Sequence, residues 1–250
     1  MKIAVCIKRV PDMETRFKIA ASGKAVDEAG LKYDMSDFDG YAVETALQLN
    51  EKQGPGETVV ISLGPDVVQE QLRKALSMGA DRAVQLKSDS VPVDGLAIAR
   101  ALAAELQSGG YDLILFGRQA VDSANATVGP MTAELLNLPC ATAVSTLDIA
   151  NGRATARREL EGAAEVVEFA LPAVVTVDEG MPRARYPSLK GIMAARKKPL
   201  EVKAAQLGEE RLTLEKMELP PERAAGRIVG EGPGAVPELV RLLHTEAKVL

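Results

Sequence analysis

The sequence contains no tryptophan and only four tyrosines and four phenylalanines among its 250 residues. This scarcity argues against a protein that binds single-stranded nucleic acid, because such proteins stack bases on aromatic side chains. The net charge of −5 likewise argues against a surface built for nucleic acid. No apolar run of about 18 residues is present, so the sequence predicts no membrane insertion.

Residues that commonly catalyse reactions or bind metals are also few. Cys6 and Cys140 fit no metal-binding spacing, and the only histidine, His244, lies near the end of the chain. No nucleophile–histidine arrangement, Walker-type phosphate loop or paired-cysteine motif occurs in the sequence. The sequence therefore predicts no catalytic residues and no metal, and it favours a carrier or binding subunit over an enzyme that works alone.

The first ten residues bear on where the protein works. Lys8 and Arg9 directly follow a short apolar run. A secretory signal needs a longer apolar region and a cleavage site of small residues. We therefore expect a cytoplasmic protein.

Strand and helix patterns alternate along the first part of the chain, which predicts an α/β fold with a parallel sheet and right-handed crossovers. Short apolar runs predict four strands, at Lys2–Ile7, Thr58–Leu63, Ala83–Leu86 and Asp112–Phe116. Helical spacing of apolar residues predicts helices starting at Ser36 or Asp37, running from Pro65 to Met78, covering Val93–Leu106, and extending from about Ala126 to Leu136.

The pattern changes after residue 139. Cys140–Ile149, Arg153–Leu160 and Val166–Val177 read as successive strands without helices between them, and Asn151-Gly152 is a hairpin signal. We expect these strands to add a mixed extension to the parallel sheet. Residues 1–199 then form one α/β domain, whereas residues 200–250 have little that could build a core of their own and are interpreted as an arm that docks on another chain.

The strongest local feature is the segment Gln119–Pro130, which follows a buried strand and leads into a helix. Asp122, Ser123, Asn125 and Thr127 suit turns and helix caps, and free N–H groups at the helix start would attract a phosphate. An ordinary capped loop remains the alternative. Parallel sheets bind ligands at the carboxyl ends of their strands, so the loops after Ile7, Leu63 and Phe116 are the expected site.

Several segments together resemble the β subunit of electron transfer flavoprotein over nearly the whole chain. They are VCIKRVPD (Val5–Asp12), MSDFDGYAVETAL (Met35–Leu47), SLGP and ALSMGADRAV (Ser62–Pro65 and Ala75–Val84), LFGRQAVDSANATVGPMTAELL (Leu115–Leu136), ARRELEGAAEVVEFALPAVVTVD (Ala156–Asp178) and RYPSLKGIMAARKKPLE (Arg185–Glu201). Within them, Arg158, Glu161-Gly162, Glu165 and Pro172–Thr176 match the signature of that family.

The resemblance implies a Rossmann-like fold of the adenine-nucleotide α-hydrolase type and a noncatalytic electron carrier. It implies a heterodimer with an α subunit that holds most of the redox FAD, while the β subunit binds a structural AMP. The implied nucleotide-binding residues are Cys6, Ser36, Asp37, Phe38, Asp39, Leu63, Gln119, Ala120, Val121, Asp122, Ser123, Ala124, Asn125, Ala126, Thr127, Val128, Gly129 and Pro130.

The resemblance also implies partners for electron transfer. Acyl-CoA and related dehydrogenases would donate electrons, in fatty acid oxidation for example, and a membrane quinone oxidoreductase would accept them. The recognition loop would lie within residues 178–199, with Met181 as the apolar anchor and Arg183, Arg185 and Tyr186 beside it. Six basic residues and no acidic ones occur from Arg183 to Lys198, which favours docking to an acidic protein.

The sequence departs from the AMP-binding pattern at several places. Ser36-Asp37 stand where the family usually has Asn-Pro, Met13 replaces an aromatic residue, and Val128-Gly129-Pro130 is similar to the electron-bifurcating members, in which a second FAD replaces AMP. AMP is expected, with a second FAD as the alternative. An adenine-nucleotide-binding or hydrolysing protein that acts alone is the other hypothesis.

Overall fold

The computed structural model describes residues 1–222 and 225–250. Its centre is a nine-stranded sheet in the order β11-β5-β4-β1-β6-β10-β7-β8-β9, beside a small two-stranded sheet of β2 and β3. The strands are β1 (Lys2–Cys6), β2 (Arg9–Pro11), β3 (Tyr33–Met35), β4 (Glu57–Gly64), β5 (Arg82–Lys87), β6 (Leu113–Gly117), β7 (Cys140–Ala150), β8 (Arg153–Leu160), β9 (Ala163–Ala170), β10 (Ala173–Val177) and β11 (Leu200–Ala204). The helices are α1 (Asp37–Gln53), α2 (Gln69–Met78), α3 (Gly95–Leu106), α4 (Val128–Leu136), α5 (Leu189–Ala195) and α6 (Val236–Leu242).

The central strands β1, β4, β6 and β10 are buried over most of their length because both faces of the sheet are covered. In β1, Ile3 and Val5 join the core cluster that includes residues of α1 and α2, whereas Ala4 and Cys6 join the cluster that includes residues of α3. This alternation follows from the two-residue period of a strand. The prediction of an α/β fold with a mostly parallel sheet is confirmed, because β1 pairs in parallel with both β4 and β6.

The helices begin and end near their sequence signals. Ser36 precedes α1, Asp94 accepts a hydrogen bond from the backbone N–H of Leu96 at the start of α3, and Gly79 ends α2 with a positive φ of 146°. A side-chain oxygen at a helix start satisfies an N–H group that has no partner within the helix. The predicted start of the fourth helix differs slightly, because α4 begins at Val128 rather than about Ala126.

The mixed extension is confirmed, but its last strand was wrongly predicted. Asn151 and Gly152 have positive φ angles of 52° and 72° and join β7 to β8 in an antiparallel hairpin. The predicted strand Val166–Val177 is two strands, β9 and β10, separated at Leu171-Pro172. Because proline has no N–H to donate, the ladder ends there, and β10 inserts in parallel between β6 and β7.

The compact α/β unit extends further along the chain than residue 199. Clustering of the contacts places Met1–Lys216 in one unit, because β11 pairs in parallel with β5 at the edge of the sheet. Beyond β11, the backbone N–H of Arg211 donates to Asp94 Oδ2 at 2.9 Å, so the start of α3 also holds this segment. The helix α5 was not predicted at all, since Pro187 and Pro199 frame a stretch without clear periodicity.

The second compact unit is Met217–Leu250. Its structure consists of a 3₁₀ turn at Pro233–Ala235, α6, and a π-helical turn at Leu243–Ala247 that contains His244. Arg241 pairs with Glu238 at 2.7 Å along α6. Across both described parts of the chain, residues 1–222 and 225–250, no helix combines the length and the apolar character needed to cross a bilayer.

Candidate functional site

The carboxyl ends of β4, β1 and β6 lie side by side in the sheet. The chain adds β4 and then β5 on one side of β1, and later adds β6 and β10 on its other side, so the strand order reverses between β1 and β6. Such a reversal opens a crevice at the strand ends, where α/β proteins bind ligands. The loops that the sequence singled out, after Ile7, Leu63 and Phe116, all leave this edge.

A buried carboxylate joins two of these strand ends. Asp39, in the first turn of α1, accepts hydrogen bonds from the backbone N–H of Lys8 at 2.7 Å and from that of Gly117 at 3.1 Å. Burial raises the pKa of Asp39 to about 7, although the two N–H donors and the Lys8 ammonium favour its charged form. Asp39 therefore fixes the start of α1 to the ends of β1 and β6.

The Lys8 side chain holds the loop between β6 and α4. Its ammonium lies 2.8 Å from both carboxylate oxygens of Asp122 and 3.4 Å from Ser123 Oγ. Ser36 Oγ donates to the backbone carbonyl of Gln119 at 3.4 Å, near the start of the same loop. Side chains from two other loops thus fix one wall of the crevice.

The backbone of this loop has unusual φ angles directly before α4. Ala124 and Ala126 have positive φ angles of 51° and 53°, which alanine rarely adopts, and Thr127 is right-handed with φ −106° and ψ −29°. A left-handed residue followed by a right-handed one turns successive N–H groups toward one concavity. Since Thr127 makes no side-chain cap, the N–H groups at the positive end of α4 add to this concavity.

Two glycines allow the close packing that the crevice requires. A Cβ on Gly129 would lie 2.6 Å from Thr176 Cγ2 at the end of β10, and a Cβ on Gly117 would overlap Asp39 Oδ1. Larger residues would push α4 away from the strand ends or displace the Asp39 carboxylate. The loop and α4 thus pack closely against the strand ends.

The structure brings most of the predicted nucleotide-binding residues to this edge. Cys6 and Leu63 are buried at the ends of β1 and β4, and burial raises the pKa of the Cys6 thiol well above its usual range. Asp37 is exposed and Phe38 is half-buried at the start of α1. The sequence reasoning missed Lys8 and Gly117. The visible signals were a lysine directly after the first predicted strand and a glycine directly after the predicted strand Asp112–Phe116.

The predicted recognition residues do not all lie on the surface. Met181 is only 6% exposed and belongs to the core, so its side chain does not present an apolar anchor in this conformation. Arg185 is occupied within the chain, because its guanidinium donates to Glu44 at 2.8 and 2.9 Å and to Glu51 at 2.6 and 3.1 Å. Arg183 is exposed, and Tyr186 is 97% exposed.

The unpredicted helix α5 carries the apolar surface of this segment instead. Leu189 is 83% exposed and Met193 is 73% exposed, and Ile192 lies beside them with a smaller exposed fraction. Lys190, Arg196 and Lys197 are exposed around them. An apolar group surrounded by cations is the composition expected of a docking surface for an acidic partner.

Comparison with known proteins gives the family. A model described as the electron transfer flavoprotein domain matches residues 24–207. The chain is 38% identical to the electron transfer flavoprotein subunit beta of Bacillus subtilis, with 100% of both chains covered. The chain belongs to the family of electron transfer flavoprotein β subunits. The corresponding subunit of Syntrophomonas wolfei is 38% identical over 93% of this chain and 91% of that one, and the pig subunit is 36% identical over 90% and 91%.

The family signature has a clear structural basis. Arg158 on β8 faces Glu165 on β9, and the two side chains form an ion pair of 2.6 Å. Within the described residues, Arg158 Nε is buried without a hydrogen-bond partner. Thr176, at the end of the Pro172–Thr176 motif, accepts a hydrogen bond from the backbone N–H of Ala143 at 2.9 Å. As an electron transfer flavoprotein β subunit, the protein takes part in flavin-linked electron transport.

Proposed function

We propose that this electron transfer flavoprotein β subunit pairs with an α subunit and binds AMP as a structural nucleotide, while the α subunit holds most of the redox FAD. The observation that supports a nucleotide phosphate here is the left-handed Ala126 followed by the right-handed Thr127 at the start of α4. AMP is the nucleotide that the family resemblance implies. FAD supplies the one-electron chemistry when it is bound. This chain binds, orients and docks, and we propose no catalytic group for it.

The residues at the strand ends would divide the binding of AMP between them. The backbone N–H groups after Asn125 would bind the phosphate, with the Ser123 and Thr127 hydroxyls close by. Lys8 is paired with Asp122, so we propose that it holds the loop rather than neutralising the phosphate. The crevice between Cys6, Leu63 and the start of α1 would hold the remainder of the nucleotide.

The nucleotide content of the αβ complex tests this proposal. We expect heat denaturation of the purified complex to release one AMP and one FAD per heterodimer, quantified by chromatography against standards. A Gly129→Val variant should retain the FAD and lose AMP, because its side chain would meet Thr176 and Phe116. Gly152→Val in the β7–β8 turn is the control for destabilisation away from the site, because valine is strained at its φ of 72° although no heavy atom lies within 4 Å of the added Cβ.

Other results of that measurement would identify the alternatives. Two FAD molecules per heterodimer and no AMP would identify the electron-bifurcating type, toward which Val128-Gly129-Pro130 points. ATP hydrolysis by the chain without an α subunit would instead support an adenine-nucleotide hydrolase and would contradict a passive β subunit. The cytoplasmic location expected from the sequence stays a prediction.

We further propose that acyl-CoA and related dehydrogenases dock on the segment between residues 178 and 199 and donate electrons to the flavin, and that a membrane quinone oxidoreductase accepts them. The exposed Leu189 and Met193 support α5 as the docking surface, and the burial of Met181 argues against its use as the anchor. Arg183 and Tyr186 remain candidates for contacts at the rim of this surface.

Replacing Leu189 with alanine should weaken docking. We expect the KM for a reduced acyl-CoA dehydrogenase to rise roughly tenfold, because an apolar anchor that fills a pocket dominates a small interface. The measurement is the rate of flavin reduction in the αβ complex at varied dehydrogenase concentration, with Leu160→Ala as the matched control on an exposed leucine of β8. An unchanged KM would contradict docking through α5.

A further inference from the structure

The helix α5 is too short to be stable by itself. It contains seven residues, Leu189–Ala195, and isolated helices of this length do not persist in water. Its start is capped within the segment, because Ser188 Oγ accepts the backbone N–H of Gly191 at 3.0 Å. Contacts with the rest of the protein must therefore decide whether the helix exists and which way it faces.

The carboxyl end of α5 is capped by a side chain of α2. Arg73 Nη1 donates to the backbone carbonyl of Ala195 at 2.6 Å and to that of Lys198 at 2.8 Å. The Ala195 carbonyl belongs to the last turn of α5, where a helix has acceptors without internal partners and a partial negative charge, and Lys198 follows three residues later. The Arg73 guanidinium supplies hydrogen-bond donors to these acceptors and a positive charge that interacts favourably with the partial negative charge.

A cation from the α5 segment caps α2 in return. Lys198 Nζ donates to the carbonyls of Leu76 and Gly79, each at 3.1 Å, and to that of Ala80 at 2.5 Å. An ammonium has three donors, and here all three are used at one helix end. Each helix end is thus capped by a cation from the other segment. Arg73 of α2 caps the end of α5, and Lys198, which follows α5, caps the end of α2.

A glycine contact fixes the distance between the two helices. A Cβ on Gly191 would overlap the backbone carbonyl oxygen of Ser77, so α5 approaches α2 as closely as backbone allows. Ala195 is buried on the same side. Leu189 and Met193 are consequently left on the outer side.

We propose that Arg73 and Lys198 are positioning residues, which hold α5 folded on α2 so that Leu189 and Met193 face the docking partner. This inference rests on the proposed docking function of α5. A partner that binds only the folded α5 has an apparent affinity reduced by the fraction of molecules in which the helix is formed. Loss of either cap therefore weakens docking without changing any residue that touches the partner.

The first test is the stability of α5 in the αβ complex. We expect the amide hydrogens of the last turn of α5 to exchange roughly tenfold faster in Lys198→Met than in the wild type, because charge-assisted hydrogen bonds are stronger than neutral ones. Lys198→Arg, which keeps the cation, should exchange more slowly than Lys198→Met. Lys197→Met is the matched control for the exchange measurement, because it removes the same charge from the neighbouring residue, whose side chain is exposed.

The second test separates positioning from general stability. Flavin reduction by an acyl-CoA dehydrogenase and its acyl-CoA should show a KM for the dehydrogenase raised several-fold in Lys198→Met and in Arg73→Met, with kcat at saturation unchanged. Reduction by dithionite, which needs no docking, should be unchanged. Lys24→Met, which removes an exposed cation outside residues 178–199, should keep a KM close to that of the wild type.

The outcomes distinguish the inference from the function on which it rests. If Leu189→Ala raises the KM but Lys198→Met leaves both exchange and KM as in the wild type, the positioning role is overturned. If Lys198→Met speeds exchange and leaves the KM unchanged, the cap is merely structural and the inference also fails. If Leu189→Ala has no effect on KM, docking through α5 fails, whatever the exchange rates show.

Discussion

Replacing Arg185 with alanine is expected to lower the free energy of unfolding by about 3 kcal/mol, because it removes the partner of a buried carboxylate. The Glu44 side chain is only 4% exposed, and Arg185 supplies its close cationic contact at 2.8 Å. This loss of about 3 kcal/mol is at the low end of the range for breaking a buried ion pair. The reason is that the Arg185 side chain is 35% exposed, so water screens its part of the pair. Chemical denaturation measures the free energy of unfolding of the wild type and of Arg185→Ala. Arg183→Ala, at an exposed neighbouring arginine, is the control.

The effect of this substitution should depend on pH. Burial alone would raise the pKa of Glu44, but the hydrogen bonds from Arg185 and Gln48 outweigh it and lower the pKa below the ordinary value of 4.5. A lowered pKa stabilises the folded state above pH 4.5, and this stabilisation disappears as the pH falls through the folded-state value. The difference between wild type and Arg185→Ala should therefore be largest near pH 7 and narrow on acidification.

A double-mutant cycle measures the interaction energy between Glu44 and Arg185. Glu44→Gln and Arg185→Ala should each destabilise the protein, and the double variant should cost less than the sum, because the buried charge and its partner leave together. Strictly additive effects would mean that Arg185 does not stabilise Glu44. A difference between wild type and Arg185→Ala that does not narrow as the pH falls from 7 to 3 would contradict the electrostatic explanation.

The parallel core could be predicted from the sequence because its signals are local. The apolar runs at Lys2–Ile7 and Thr58–Leu63 define strands covered on both faces, and Gly79 marks the end of a helix by its position alone. The β9–β10 break shows the limit of such signals. Val166–Val177 is apolar enough for one strand, and Pro172 was the residue that should have divided it.

The recognition segment was harder to predict because long-range contacts determine it. Arg185 lies 141 residues from Glu44 in sequence, so nothing near Arg185 indicates that its guanidinium is already used. Likewise, α5 depends on Arg73, which lies 122 residues before Ala195. The sequence therefore predicts no helix between residues 183 and 198, and the family resemblance implies Met181 as the anchor, although tertiary packing buries Met181 and exposes Leu189.

Replacing Asp39 should lower the free energy of unfolding by a comparable amount, and it should also weaken nucleotide binding at the candidate site. Asp39→Ala leaves the backbone N–H groups of Lys8 and Gly117 without their acceptors in a part-buried place. Each buried, unsatisfied donor costs about 1–3 kcal/mol, so we expect a loss of about 3 kcal/mol in the free energy of unfolding. Nucleotide release from the αβ complex should also become faster, because the ends of β1 and β6 are no longer tied to α1.

The sign of the pH dependence distinguishes Asp39 from Glu44. Burial raises the pKa of Asp39 from 3.8 to about 7, so the folded state binds this proton more tightly than the unfolded chain. The stabilisation that protonation brings is complete below pH 3.8 and is lost as the pH rises through about 7. Asp39→Asn cannot titrate, so the stability of the wild type relative to this variant should fall by up to about 1.4 kcal/mol per pH unit across that range.

Denaturation of both proteins at pH 5, 6, 7 and 8 measures this difference directly, because the shared titrating groups cancel. A relative stability that is constant with pH, or that rises with pH, would show that the two N–H donors and the Lys8 ammonium keep Asp39 charged in the folded protein. In that case Asp39 would anchor the strand ends as a permanent anion. With the raised pKa, the folded protein is instead more stable below neutral pH, where Asp39 is protonated.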